Sequence, residues 1–202
     1  MDSNDEEPER IEVDYTESDF SDVFWRNWRF IRCRFVGASF QEADLGGCFF
    51  EECDFSGAQL NAATLTQCGF TNCRFVGASF FVSTLSQCRL LGADFTEANL
   101  GGVTIPGCDL SFANFRYQSL KKFDFHGQKL EGTDFHGADL TEANLSGADL
   151  SGANFVGATL KKADLRGATL ERIDFRTVAL NQTKLDMIQA VYLARCYGAD
   201  VI

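Results

Sequence analysis

Eight cysteines, two histidines and a long series of aspartates are the residues through which this 202-residue chain could do chemistry. Thiolates and imidazoles ligate metals, a thiol beside an imidazole is a nucleophile with its base, and paired carboxylates exchange protons with a substrate. Each of these needs its groups brought to one place, so spacing decides. Seven cysteines form two series with a step of 20 residues: Cys48, Cys68, Cys88 and Cys108 in one, Cys33, Cys53 and Cys73 in the other. The histidines, His126 and His136, are ten residues apart, and most aspartates stand immediately before a Leu or Phe.

What positions all of them is a five-residue rhythm. In TEANLSGADLSGANFVGATLKKADL, residues 141–165, every fifth residue is Leu or Phe, with Ala two places before it. An α-helix turns about 100° per residue and carries a period of five round its circumference. A strand alternates faces every two residues and throws an odd period to opposite sides. The backbone must therefore turn a corner in every unit. The register runs without a slip through 34 consecutive units from Phe20 to Leu185, with Tyr15 in phase before them. Phe35, Phe55, Phe75, Phe95, Phe115, Phe135, Phe155 and Phe175 lie 20 residues apart, while the other three columns mix Leu and Phe. Twenty over five gives four sides per coil, and the sequence predicts an all-β, four-sided solenoid. At about 4.8 Å per coil, eight to nine coils make a rod roughly 40 Å long, each coil burying its inward residues against its neighbours.

On this frame the reactive groups separate. The seven columnar cysteines take the small inward position usually held by Ala, where a free thiol packs as a small hydrophobe. That usage favours a reducing cytoplasm over a disulfide framework or a metal site. His126 and His136 each follow a central residue, point outwards and sit two corners apart, so they share neither a metal nor a proton. The aspartates bond corner amides or face water. Neither catalytic residues nor a cofactor or metal is expected, and the reading is a binding or scaffold protein. No apolar run approaches the roughly 18 residues of a membrane helix, and MDSNDEEPER has no apolar signal core, so a cytoplasmic protein is expected.

The repeated A-[DN]-[LF]-x-x resembles the pentapeptide-repeat family over roughly residues 15–185. The resemblance implies a right-handed quadrilateral β-helix. After Leu185 the rhythm stops. Asp186 is placed to cap a helix with apolar Met187, Ile188, Ala190, Val191, Leu193 and Ala194, and Gly198 to end it, leaving ADVI as a short strand. The expected organisation is an acidic, disordered tail over 1–14, the repeat over 15–185, and a capping or dimerising module over 186–202. The tail has two readings: a lid over the last coil, or a dimer contact for apolar surface that one coil end cannot cover. A lid that also dimerises joins them.

Leu185-Asp186, Gln189-Ala190, a glycine and a short apolar end are similar to the Qnr and MfpA type of gyrase-protecting protein. In that type the C-terminal module joins two rods end to end. The dimer resembles B-DNA in size and charge, binds DNA gyrase or topoisomerase IV, and confers tolerance of fluoroquinolones and other poisons. For this chain the resemblance implies a homodimer through Met187, Ile188, Val191, Tyr192, Ala194 and Val201, with neither direct nucleic-acid binding nor membrane attachment. The uninterrupted register departs from those Qnr proteins whose coils carry projecting loops. The alternative is a scaffold rod for another protein partner, with the helix only a cap.

Charge restricts the mimicry. The chain carries −11, but ten acids and a single Arg in residues 1–24 account for −9 of it, leaving −2 on residues 25–202. B-DNA carries a charge per about 1.7 Å, roughly 24 over 40 Å, so uniform mimicry fails by an order of magnitude. A patch model remains, with Glu42, Asp44, Glu51, Glu52 and Asp54 in one acidic stretch and Asp134, Asp139, Glu142 and Asp149 in a second. Such patches steer a rod to a basic saddle, or simply keep a β-rod soluble. Finally, Gln118, Phe123, Gln128 and Thr133 fill the small inward position across 116–133, which should bulge the wall or change the turn. Phe81, Phe112 and Tyr117 stand at outward positions, either as a contact patch or folded over a widened coil.

Overall fold

The computed structural model describes residues 8–201. The corner that the rhythm demands is made by the residue two after nearly every central one, held in the left-handed region, as at Glu42 (φ 58°) and Gly47 (φ 62°). At most corners the N–H three residues on closes onto the central carbonyl, as from Ala38 to Phe35 at 3.1 Å and from Ala58 to Phe55 at 3.0 Å. The aspartate before the central residue ties the other side: Asp54 accepts from the N–H of Ser56 at 2.9 Å and Asp139 from that of Thr141 at 3.0 Å. This is the Asx turn, and it explains why Asp and Asn favour that place.

Four such corners close one coil, and the chain winds as a right-handed quadrilateral β-helix ending in a short α-helix. On two adjacent faces the first coils straighten into strands. β1 (Glu9–Ile11), β3 (Arg29–Ile31), β5 (Phe49–Glu51) and β7 (Gly69–Thr71) form one parallel sheet. β2 (Phe24–Arg26), β4 (Asp44–Gly46), β6 (Thr64–Thr66) and β8 (Thr84–Ser86) form the other. Register follows the 20-residue step, with Phe30 opposite Phe50 and Phe50 opposite Phe70. The other faces pair through single bridges at the same step, such as Asp54 with Arg74 and Arg74 with Asp94.

The central residues fill the rod. The eight phenylalanines from Phe35 to Phe175 are each at most 3% exposed. Their rings stack from Phe35 to Phe155 with centroids 4.7–5.6 Å apart. Each contributes about 2–3 kcal/mol by burial, with roughly 1 kcal/mol more for stacking.

The structure corrects the tail. Glu9–Ile11 pairs with Arg29–Ile31, and the Glu12 N–H reaches the Ile31 carbonyl at 2.9 Å, so the first coil starts at residue 9, not 15. The acidic side chains of 9–14 point outwards while the backbone bonds to the coil above, which composition alone does not reveal. Residues 1–7 of the expected tail lie outside the described residues. At the other end Asp186 caps α1 (Met187–Cys196), and Gly198 follows at φ 84°. Residues 199–201 form no strand, and Ile202 is outside the described residues.

Candidate protein-binding surface

The C-terminal helix has two faces with different duties. Asp186 accepts from the N–H of Gln189 at 3.0 Å, and the Gln189 side chain accepts from the N–H of Asp186 at 3.0 Å, a reciprocal capping box. The second Asp186 oxygen takes the N–H of Gly167 at 2.8 Å, which clasps the helix to the last coils. These N–H groups, that of Gln189 first, hold the Asp186 carboxyl below the usual carboxylate range. Gln189 is buried and its amide donates to the carbonyls of Leu165 and Ala168, closing the open end of the rod. Tyr192, Leu193 and Cys196 pack on the core beside it, Tyr192 with its hydroxyl at the backbone of Ile173. The outer face carries Met187 and Ile188, 79% and 81% exposed, with half-buried Val191 and Ala194 continuing the stripe. Of the six residues assigned to pairing, Tyr192 thus serves the cap, Val201 lies beyond the helix, and the other four form one apolar strip.

The acids of the two expected patches are distributed round the coil, and five of the nine are paired. Asp44 meets Arg26 at 2.8 Å and Glu51 meets Arg29 at 3.6 Å. Asp134 meets Arg116 at 3.0 Å, Asp139 meets Lys121 at 3.2 Å, and Glu142 lies between Lys122 and Lys162 at 3.8 and 3.9 Å. A hydrogen bond from Thr141 and the Lys121 pairing hold the Asp139 carboxyl low. Glu42, Glu52, Asp54 and Asp149 have no ion pair among the described residues. The bases come from 18 to 22 residues away, one coil above or below, so a stretch empty of Lys and Arg is not a stretch empty of positive charge. What does line up is one face. Outside the phenylalanine column stand Asp94, Asn114, Asp134, Asn154 and Asp174, with the Asn114 amide on Asp94 and the Asn154 amide on Asp134, each at 2.9 Å. This strip was missed in the sequence because its signal is a period of 20 in the residue before the phenylalanine.

The oversized inward residues open the wall. In closed coils each central N–H meets the carbonyl 19 residues on, as Phe75 meets Asp94 at 2.7 Å. Among the described residues no such backbone bonds join Glu97, Leu100, Gly102, Ile105 or Gly107 to the coil of Arg116–His126. The bridge sequence skips both faces there. A cleft of about 590 Å³ results, lined by Leu100, Gly102, Val103, Gln118, Lys122 and Phe123 among others. Thr133, by contrast, fits, its hydroxyl donating to the Leu110 carbonyl at 3.0 Å. Phe81, Phe112 and Tyr117 remain exposed at 52%, 59% and 69%. Each lies against a glycine 20 residues on, Gly101, Gly132 and Gly137, where a Cβ would meet the ring.

Models of the pentapeptide repeat region match residues 23–86 and 78–155, and a model of pentapeptide repeats in eight copies matches 138–176. The chain belongs to the pentapeptide-repeat family. No curated protein matches it in sequence. Among solved structures it is similar to a trypsin-treated variant of QnrB1, a plasmid-mediated fluoroquinolone resistance protein. That match has 28% identity and a TM-score of 0.83 and covers 96% of this chain and 98% of the other. Full-length QnrB1 gives 26% identity and a TM-score of 0.71, covering 95% and 97%. HetL, involved in heterocyst differentiation regulation in the cyanobacterium Nostoc sp. strain PCC 7120, gives 31% identity and a TM-score of 0.51, covering 88% and 85%.

The reactive side chains of this pentapeptide-repeat rod serve its wall. All eight cysteines are free and seven are buried. Most columnar thiols donate to the central carbonyl 23 residues earlier, Cys53 to Phe30 at 3.5 Å and Cys88 to Leu65 at 3.4 Å. They stand after the strand faces, where the tight-turn N–H does not close on that carbonyl, so Cys does there what Ala does not. Burial pushes the Cys73 thiol well up, away from the reactive thiolate. His126 bonds Ser146 at 2.9 Å, and His136 stands edge-on to Tyr117.

Proposed function

We propose that this chain acts as QnrB1-like proteins are expected to act: a homodimeric, non-enzymatic rod in the cytoplasm that binds DNA gyrase or topoisomerase IV and protects it from a poison. The observation that carries the reading is the likeness to QnrB1, which covers 96% of this chain and 98% of the other. The outer strip of α1 supports pairing, because Met187 and Ile188 are large, apolar and uncovered in one chain. The net charge of −2 on residues 25–202 argues for mimicry of DNA along one strip rather than all round. The strip of Asp54, Asp94, Asp134 and Asp174, all outside the phenylalanine column, is the surface proposed to face the enzyme, with Asp134 and Asp174 held by exposed, exchangeable pairs to Arg116 and Arg176.

The test is a supercoiling titration with and without a fluoroquinolone, beside Met187→Glu/Ile188→Glu. The expected result is rescue from the drug at low concentration and inhibition at high concentration, with rescue lost at least tenfold in the variant while the rod stays folded. No effect on gyrase or topoisomerase IV, with or without drug, refutes the reading. The second reading then stands, a scaffold for another protein partner with α1 as a cap only.

A further inference from the structure

We propose that the open seam between residues 97–107 and 117–128 is a strand-acceptor site for an extended, acidic segment of a partner protein. This goes beyond the topoisomerase reading and does not depend on it. The lower lip presents the N–H groups of Leu100, Gly102, Ile105 and Gly107, and the upper lip the carbonyls of Ser119, Lys121, Asp124 and His126. From Phe35 to Phe95 and from Leu110 to Gly152 such groups bond each other directly. Two facing parallel edges therefore stand without their ladder, and an inserted extended chain can pair with both at once, which is the main-chain recognition of strand addition.

Three further observations point to a ligand. Gln128, 6% exposed, lines the continuation of the cleft beside Val103, Thr104 and Asp124, and its Oε1 is the buried side-chain oxygen without a hydrogen-bond partner among the described residues. A buried amide oxygen of that kind calls for a donor. Second, Gln118 donates to the carbonyls of Phe95 at 2.6 Å and Ala98 at 3.1 Å, as Gln189 does to Leu165 and Ala168 at the end of the rod. The coil below the seam is thus finished like a terminal coil, so the opening is built into the sequence. Third, the walls set the chemistry of the occupant. Leu100, Val103 and Phe123 make the depth apolar. Lys121 and Lys122 stand on the lip, held only by exposed pairs at 3.2 and 3.8 Å, which are weak and exchangeable. Asp124 also lines the cleft, its Oδ1 engaged by the N–H of His126 and the amide of Asn144. An extended segment alternating apolar residues inwards and acids outwards fits this lining.

The probe is a fluorescein-labelled eight-residue peptide of alternating valine and glutamate, read by fluorescence anisotropy on the full chain. Binding with a dissociation constant on the order of 10 μM is expected, weakened at least tenfold when alternate peptide amides are N-methylated. Gln118→Ala/Phe123→Ala restores the small inward residue, and is expected to abolish binding. In the native chain, amide exchange at Leu100 and Gly102 should slow when the peptide is added, a readout independent of the variant. Absence of binding up to about 1 mM, equal binding of the N-methylated peptide, or unchanged exchange at those amides overturns the proposal.

Discussion

Between Phe35 and Phe95 each coil rests on the next, whereas between Glu97 and Gly127 two faces of the rod part, although the rhythm of Leu and Phe runs unbroken through both. The difference lies two residues before the central position. In the closed coils that place holds Ala, Cys or Ser; across the opening Val103 lies under Phe123 and Ala98 under Gln118. Coils about 4.8 Å apart have no room for Phe123 over Val103 in register, and on the other face the Gln118 amide inserts between the coils to bond the carbonyls of Phe95 and Ala98. The central residue sets the four-sided shape, and the small one sets whether the coils touch.

Deleting a large ring separates the two cases most strongly. Phe55→Ala removes a buried ring stacked between Phe35 and Phe75 and should cost about 3–5 kcal/mol by denaturant unfolding. Phe123→Ala should cost under about 1 kcal/mol, because the emptied position lets ladder bonds form. Equal losses at both sites would break the comparison. The converse change, Ala63→Phe, should open a closed coil, lose about 1–3 kcal/mol and expose amides on the Leu65 face. The smallest effect concerns the thiols. Cys88→Ser should stay within about 1 kcal/mol of the native chain, because Ser83 already makes the equivalent bond to Leu60 at 2.5 Å, while Cys88→Ala should lose about 1 kcal/mol. A larger loss for Ser than for Ala would show that the thiols act by packing alone.

Much of this was legible. The corners, the phenylalanine column and the Asp186 cap each rest on a fixed place in the rhythm, and for the column and the cap size or hydrogen-bonding capacity fixes the residue type locally. Gln118, Phe123 and Gln128 announced a disturbed wall, but not that it would open, and Thr133 in the same series fits, since its hydroxyl finds the Leu110 carbonyl. Hidden were relations across coils. Arg26 neutralises Asp44, and Glu9 enters a strand only because Arg29 lies one coil above it. A sequence window sees neighbours at one to five residues, while the rod makes neighbours at 18 to 22.

The most direct measurement is residue-resolved amide hydrogen exchange on the unmodified chain. The account predicts strong protection at Phe55, Phe75 and Phe135, and exchange at least a hundredfold faster at Leu100, Gly102, Ile105 and Gly107. Uniform protection along the rod would contradict it, placing the coils in contact and removing the seam.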